Sequence, residues 1–372
     1  MRRLSTLLLS LSLLAAAPPA FREHTIASDL KGGYQVVAAD LNHDGRPDLI
    51  ALASGLTELV WYENPGWQRH VLASGQSRMI NCTVVGNEIV LAGGFANQAK
   101  DSLGIVSVLR PGDDPREPWT VTEIDRLTTS HRLRTADIDG SGKLVVINAA
   151  LTGAAAAAPD YRDQTPLVYY VPGEWKRRLI STENSGVVHG IFVTDWDGDG
   201  RQDILTASFT GIHLFRYTKD SRWTRTEIAK GDPAPWPKSG SSDIAVGHIV
   251  KSRFLAAIEP WHGNQVAVYT QRGAQWDREV IDTTLTDGHT ILAADLNGDG
   301  TDEIIAGFRG QPRSVYLYSY DPAAKHWSRS DLDKGGMGAA ACVVVDLNKD
   351  GRPDVACIDS TRLKWYENQP AH

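Results

Sequence analysis

Cysteine is scarce in this sequence, with three residues in 372, at positions 82, 342 and 357. In an exported protein, an odd number leaves at least one thiol unpaired. All three cysteines stand in apolar, strand-like stretches, so we expect buried free thiols. A bridge between Cys342 and Cys357 within one hairpin is the alternative.

The chain also lacks an excess of basic residues, since 38 Lys and Arg stand against 45 Asp and Glu, a formal net charge of −7. Nucleic-acid-binding proteins favour basic patches, so the composition indicates no nucleic-acid partner. No long apolar run follows residue 20, and we therefore expect no membrane span.

The first twenty residues are the exception to this lack of apolar runs. A basic start, MRR, precedes the apolar run LSTLLLSLSLLAAA and a small-residue exit that ends at Ala20. This pattern predicts a secretory signal peptide over residues 1–20, which is too short to span a bilayer. The mature chain, residues 21–372, is expected to be secreted or periplasmic.

Acidic loops centred on glycine recur along the chain. DLNHDGRPD begins at Asp40, DWDGDGRQD at Asp195, DLNGDGTDE at Asp295 and DLNKDGRPD at Asp346, and a decayed copy, DIDGSGKLV, begins at Asp137. Successive copies are separated by about fifty or about a hundred residues, which indicates a repeat of about fifty. Two hairpins that lack the acidic loop are therefore expected near residues 88 and 247.

A second repeat gives the number of units. Polar-apolar segments start at Trp67, Trp119, Trp175, Trp223, Trp276 and Trp327, and FREHTIAS at 21–28 is a seventh copy. Seven units of four short strands predict an all-β fold, a seven-bladed β-propeller of four-stranded blades, as one domain. The last unit stops after its third strand, so the N-terminal strand is expected to complete the last blade and close the ring.

The acidic loops have the spacing of a calcium site. Oxygen side chains at positions 1, 3 and 5, glycine at 6 and an acid at 9 supply the hard oxygen ligands that calcium prefers. The predicted ligands are Asp40, Asn42, Asp44 and Asp48; Asp195, Asp197, Asp199 and Asp203; Asp295, Asn297, Asp299 and Glu303; and Asp346, Asn348, Asp350 and Asp354. About four structural calcium ions are predicted, with a metal-free acidic turn as the alternative. The loop at Asp137 has Val145 at position 9, and we expect no ion there.

The repeated DLNxDGxxD hairpin resembles the FG-GAP/VCBS repeat family of calcium-binding, seven-bladed propellers, an arrangement also found in integrin α-subunit heads. The likeness covers nearly the whole mature chain. It implies the fold but very little about function, because one fold supports many functions.

Three units carry histidine six residues before the first acid of the loop, namely His131, His189 and His289. The other units hold Tyr34, Ser242 or Ala340 at this register. Equivalent positions around a ring converge near its axis, at the start of the innermost strands and away from the acidic loops. Three neutral imidazoles with one open position form a zinc-type site. We predict such an ion, with a metal-free histidine-rich substrate pocket or a chance placement as alternatives.

Loops on the same face supply further candidate residues. Glu259 and His262, within EPWHGN, are candidates for the catalytic acid or base, although a turn capped by an aromatic residue also accounts for this motif. Arg309, Trp261 and Phe209 are candidates for holding a sugar ring, and Asp243 for orienting a ligand imidazole.

Calcium hairpins together with an axial three-histidine cluster are similar to the propeller domain of the aldos-2-ulose dehydratase family, zinc-dependent lyases that act on keto-sugars. The resemblance implies an exported, metal-dependent lyase for keto-sugars or oxidised glycosides, working by α-proton abstraction and β-elimination. The alternative is a non-catalytic, calcium-stabilised propeller that binds glycans or protein partners.

Overall fold

The structure is a computed structural model that describes residues 18–370. The predicted signal peptide, residues 1–20, lies almost entirely outside the described residues. The described part of the chain forms 28 strands and one short 3-10 helix, Ala99–Asp101. No helix in it is long and apolar enough to cross a membrane.

The strands follow one another in groups of four. Strand β1 covers Ala20–Ala27 and precedes the first complete blade. Blade one contains β2 (Gly33–Ala39), β3 (Asp48–Ala53), β4 (Leu59–Glu63) and β5 (Gln68–Ala73). Blade two contains β6 (Asn81–Val85), β7 (Glu88–Gly93), β8 (Ile105–Arg110) and β9 (Thr120–Arg126). Blade three contains β10 (Ser130–Ala136), β11 (Val145–Ala150), β12 (Gln164–Tyr170) and β13 (Arg178–Ser185).

The second half of the chain repeats this pattern. Blade four contains β14 (Val188–Thr194), β15 (Asp203–Ser208), β16 (Gly211–Tyr217) and β17 (Trp223–Ala229). Blade five contains β18 (Asp243–Ile249), β19 (Ser252–Glu259), β20 (Gln265–Arg272) and β21 (Gln275–Asp282). Blade six contains β22 (Gly288–Ala294), β23 (Glu303–Phe308), β24 (Val315–Asp321) and β25 (His326–Asp333). Blade seven contains β26 (Ala341–Val345), β27 (Asp354–Ile358) and β28 (Leu363–Gln369).

Each blade is an antiparallel sheet, and six of the seven keep the order of the chain. The seventh has the order β1-β28-β27-β26, so the first strand completes the last blade. Strand β1 pairs antiparallel with β28, with Arg22 opposite Glu367. The ring closes as predicted, because this pairing covers a strand edge that would otherwise be exposed.

The apolar core lies between blades. In five of the seven blades the second strand is buried along its whole length, as in β3 (DLIALA) and β23 (EIIAGF). Ile50 and Trp61 of blade one pack in one cluster with Ile89 and Leu91 of blade two. The outer strands alternate polar and apolar residues, as in β17 (WTRTEIA), because one face of each meets water. The blades therefore pack face to face around the axis.

Two features test the sequence predictions directly. The hairpins expected near residues 88 and 247 exist, as β6 with β7 and β18 with β19. The expectation of three free thiols was wrong for two of them, since Cys342 and Cys357 form a disulfide. Strand pairing places these two residues directly opposite each other, with Cα atoms 4.1 Å apart. Cys82 is free and buried, as expected.

Candidate metal centre at the propeller axis

Three histidines stand near the start of inner strands. His131, His189 and His289 are the second residues of β10, β14 and β22, and each is 1% exposed. The inner strands of neighbouring blades contact one another around the axis. These residues therefore meet at the hub, at the end of the strands away from the acidic loops, as the register predicted.

The trio whose ligand nitrogens converge is His189, His262 and His289, with these atoms within 4.8 Å of one another. Nε2 of His189 lies 3.3 Å from Nε2 of His262. Nε2 of His289 is buried and has no hydrogen-bond partner. A buried ring nitrogen without a partner is unfavourable unless a ligand satisfies it. This donor set fits a divalent metal ion of the zinc type.

His131 lies beside the trio rather than within it. Its ring centroid is 5.1 Å from that of His189, and its Nε2 atom is 3.0 Å from the hydroxyl of Tyr34. His262, which the sequence assigned to acid–base chemistry, takes the third position. It lies in the loop between β19 and β20, outside the repeat register, so aligning the blades could not find it.

Each ring of the trio is held through its outward nitrogen. The Nδ1 contacts are His262 with Asp287 Oδ1 at 3.1 Å, His289 with the carbonyl oxygen of Ala340 at 2.5 Å, and His189 with Ser242 Oγ at 3.3 Å. A partner on Nδ1 fixes the ring and directs Nε2 towards the ligand, which is the usual arrangement around protein-bound metals. The sequence placed Ser242 and Ala340 at the histidine register, but nothing in it singled out Asp287.

Burial keeps the three rings neutral. Burial is the largest cause that lowers the pKa of His189, His262 and His289, and nearby guanidinium groups lower it further. Burial raises the pKa of Asp287, but hydrogen bonds from His262 and Arg309 outweigh it and lower that pKa to about 2. The site thus combines neutral imidazole donors with an ionised carboxylate behind one of them.

A cavity of about 600 Å³ is lined at its base by His131, His189 and His262. The volume suits a small organic ligand such as a sugar. Its walls are aromatic and polar, and include Tyr34, Arg78, Phe95, Asn97, Trp261 and Arg309. Arg309 holds Asp287 through Nε and Nη2, each 3.0 Å from a carboxylate oxygen. Trp261 and Arg309, both candidates for sugar contact, therefore do line this cavity.

Phe209 supports the cavity wall from behind. It is 2% exposed, and its ring centroid lies 5.6 Å from that of Trp261. Phe209 is absent from the lining residues of the cavity, because the rings of Trp261 and Trp236 pack over it. Phe209 therefore packs against Trp261 and does not reach this cavity.

Glu259 and Asp243 do not lie where their predicted roles require, since neither lines this cavity. The carboxylate of Glu259 is wholly buried and accepts hydrogen bonds from Ser241, Tyr269 and Arg278. Because it points into blade five, it does not reach the cavity. Asp243 accepts a hydrogen bond from the backbone N–H of Ile291 at 3.3 Å. The side chain that contacts the ring of His189 belongs to the preceding residue.

The acidic loops share one geometry. In the first loop, the carboxylate of Asp40 accepts hydrogen bonds from the backbone N–H groups of Asp44 and Gly45, at 3.1 and 2.9 Å. Asp48, at position 9, is fully buried and accepts the N–H of Leu41 at 2.9 Å. The ligand oxygens of Asp195, Asp197 and Asp199 lie within 4.8 Å of one another.

Fold and site together define a seven-bladed β-propeller with a histidine cluster at its hub. A family model described as the β-propeller domain of aldos-2-ulose dehydratase matches residues 103–272. The chain is 25% identical over 322 residues to aldos-2-ulose dehydratase of Phanerodontia chrysosporium, and the match covers 76% of this chain and 35% of that enzyme.

Integrin alpha-8 is a further relative. The mouse and human proteins are each 23% identical to this chain, and each match covers 53% of the chain and 19% of the integrin. The chain thus spans about a third of the length of the dehydratase and about a fifth of the length of the integrins.

Proposed function

We propose that this protein is a metal-dependent carbon–oxygen lyase, a dehydratase that acts on keto-sugars or oxidised glycosides. The observation that carries the proposal is the convergence of His189, His262 and His289 beside a cavity of about 600 Å³, which His189 and His262 line. The likeness to an enzyme named for the dehydration of aldos-2-uloses supports this choice of substrate class.

The three imidazoles would hold a zinc-type ion. When bound, such an ion supplies Lewis-acid polarisation of a carbonyl oxygen. Asp287 accepts the Nδ1 proton of His262, and the carbonyl of Ala340 accepts that of His289, so that both Nε2 atoms carry free lone pairs. The protein thus presents neutral donors whose orientation is fixed before any ligand arrives.

Proton transfer is assigned to Tyr34 and His131. The hydroxyl of Tyr34 lies 3.0 Å from Nε2 of His131, and both residues line the cavity. In the proposed elimination, the proton beside the substrate carbonyl leaves and its electron pair forms the C=C bond. The C–O bond at the β carbon breaks, and the departing oxygen takes up a proton, giving water or an alcohol. The hydrogen-bonded pair can exchange a proton between these two events.

Trp261 and Arg309 would bind and orient the sugar. An indole face packs well against the apolar face of a sugar ring, and a guanidinium donates to hydroxyl or carbonyl oxygens. Arg309 is already held by Asp287, so it enters the complex with little loss of side-chain freedom. We therefore expect substitutions here to raise KM more than they lower kcat.

Calcium and export complete the proposal. The four loops with buried position-9 acids support structural calcium ions, since clustered carboxylates need a counter-charge. The disulfide between Cys342 and Cys357 supports an oxidising compartment, either the periplasm or the exterior of the cell.

A decisive experiment offers the purified protein an aldos-2-ulose such as glucosone and follows the absorbance of the unsaturated ketone product. We expect turnover with zinc at about one ion per chain. His289→Ala should lose both zinc and turnover while keeping the far-UV circular dichroism of the propeller. His326→Ala, which removes an exposed histidine of β25, is the matched control. Retained turnover in His289→Ala would count against the proposal.

The likeness to integrin alpha-8 favours a second candidate, a propeller that binds a glycan or protein without chemistry. Elemental analysis separates the two candidates. Calcium at about four ions per chain, with no transition metal retained after exchange, supports the binding protein. Zinc that is lost on mutating any one histidine of the trio supports the enzyme.

A further inference from the structure

A second cavity, of about 370 Å³, lies along the propeller axis on the acidic-loop side of the histidines. Residues from all seven inner strands line it, so we call it the hub channel. Its charged lining residues are Arg132, Arg134 and Asp243. The described lining of the channel therefore carries one more positive than negative charge.

Arg132 is a buried cation without an ionic partner. It is 7% exposed, and no described carboxylate lies within 4.0 Å of its guanidinium. Its hydrogen-bond contacts are long. Nη1 lies 3.4 Å from Nε2 of His131, and Nη2 lies 3.4 Å from Nε2 of His189. The guanidinium also lies 5.5 Å from the ring centroid of Tyr34. Neutral rings compensate poorly for the desolvation of a guanidinium, so the site favours an anion.

Arg134 lies two residues further along the same strand, so its side chain leaves β10 on the same side as that of Arg132. Its Nη1 atom donates to the carbonyl of Leu133 at 2.8 Å, and it too has no described carboxylate within 4.0 Å. Burial, followed by repulsion from Arg132, lowers the pKa of Arg134 to about 10. The two cations are therefore close enough to disfavour each other.

We propose that the hub channel binds a small oxyanion, such as sulfate, phosphate or a carboxylate, between Arg132 and Arg134. The planar fork of a guanidinium matches two oxygens of such an ion. Asn81, Thr83 and Thr290 also line the channel and supply neutral hydrogen-bonding groups. Arg132 and Arg134 do not line the cavity above the histidines. The anion site nevertheless adjoins the proposed metal site, because Tyr34 and His289 line the channel too.

The anion is coupled to the histidine cluster. The guanidinium of Arg132 is 3.4 Å from Nε2 of His189, so its positive charge opposes a cation bound by that ring. An oxyanion on Arg132 offsets this charge. Because coupling between two sites is reciprocal, the oxyanion raises zinc affinity and zinc raises oxyanion affinity by the same factor.

Isothermal titration of the metal-free protein tests the site, with sodium sulfate in one arm and sodium acetate in the other. We expect saturable binding in the wild type. Arg134→Gln should weaken it by roughly tenfold to a hundredfold, and Arg134→Lys by less. Arg313→Gln, which removes an arginine outside the channel, is the matched control and should bind normally. The stronger arm shows whether the site prefers an inorganic oxyanion or a carboxylate.

A variant with tighter anion binding provides a control for misfolding, because a misfolded protein would not bind the anion more tightly. Asp243→Asn removes the carboxylate that competes for the two guanidinium groups, so it should bind the oxyanion more tightly than the wild type. A crystal soaked in selenate should show its anomalous peak between Arg132 and Arg134. The inference fails if neither anion binds, if Arg134→Gln binds as well as Arg313→Gln, or if the selenate peak lies elsewhere.

Discussion

Oδ1 of Asp287 lies 3.1 Å from Nδ1 of His262, on the side of the ring opposite the nitrogen that faces His189. Arg309 in turn holds the same carboxylate through two hydrogen bonds of 3.0 Å. Nη2 of Arg309 also lies 3.1 Å from Nδ1 of His262. Asp287 and Arg309 together therefore fix the orientation of the imidazole that the repeat pattern did not predict.

Asp287→Asn should weaken zinc binding by roughly tenfold to a hundredfold, because the amide cannot stabilise the required tautomer as a carboxylate does. Competition against a chromophoric chelator measures the change. The control is Glu367→Gln, which removes a carboxylate 2.9 Å from His24 in blade seven. Equal affinity in Asp287→Asn and the wild type would show that this carboxylate does not orient the ligand.

His131→Ala tests whether His131 is itself a metal ligand or only lies beside the three ligands. We expect this variant to keep about one zinc per chain but to lose turnover, because His131 lies beside the trio and is bonded to Tyr34. His262→Ala should lose the ion itself. The reverse outcome, with zinc lost only in His131→Ala, would restore the trio predicted from the repeat register.

The position-9 acids link calcium to pH. Burial raises the pKa of Asp203 from its usual value of 3.8 to about 6. In the metal-free protein, the stability supplied by this carboxyl group is full below pH 4 and is lost as pH rises through 6. Asn does not titrate. As the pH rises from 4 to 7, the free energy of unfolding of Asp203→Asn should therefore increase by about 3 kcal/mol relative to that of the wild type.

Calcium should reverse the effect of this substitution. With calcium present at pH 7, Asp203→Asn should be less stable than the wild type and should bind about three ions rather than about four. Urea unfolding with and without chelator measures both cases. Asp137→Asn, in the loop that ends at Val145, should leave the calcium response unchanged. If it abolishes one ion, the decayed loop is a calcium site after all.

The disulfide should stabilise the closing blade. It joins Cys342 and Cys357, which are 15 residues apart in sequence. Closing a loop of this length in the unfolded chain contributes about 3 kcal/mol. The double variant Cys342→Ser with Cys357→Ser should lose about that much free energy of unfolding. Reductant should lower the stability of the wild type but leave that of the double variant unchanged, and an equal response in both would contradict the prediction.

The repeat allowed much of the fold to be predicted. The loops at Asp40 and Asp346, and the tryptophan-led segments between them, set the number of blades and the order of strands. Even the first strand could be placed, because FREHTIAS is a fourth-strand copy without a blade and the last unit lacks one. Alternation and turn chemistry are local properties, so they can be read along the chain.

The site was predicted only where it follows the repeat. His189 and His289 share a register, and the ring geometry brings them together. His262 lies in a loop, and its approach depends on how that loop folds back over the hub. Glu259 is the opposite case, a residue that is near His262 in sequence but not at the site. It is three residues from His262, yet its carboxylate points into blade five and pairs with Arg278.

The sequence by itself determined the seven-bladed frame, the acidic loops and the register of three histidines, because these depend on periodic patterns within each blade. Only the tertiary structure decided that His262 completes the trio, that Asp287 stands behind it, and that Arg132 is buried in the hub channel without a carboxylate partner. The physical reason is that closing the ring brings seven separate segments to one axis, and contacts across that axis have no counterpart in local spacing.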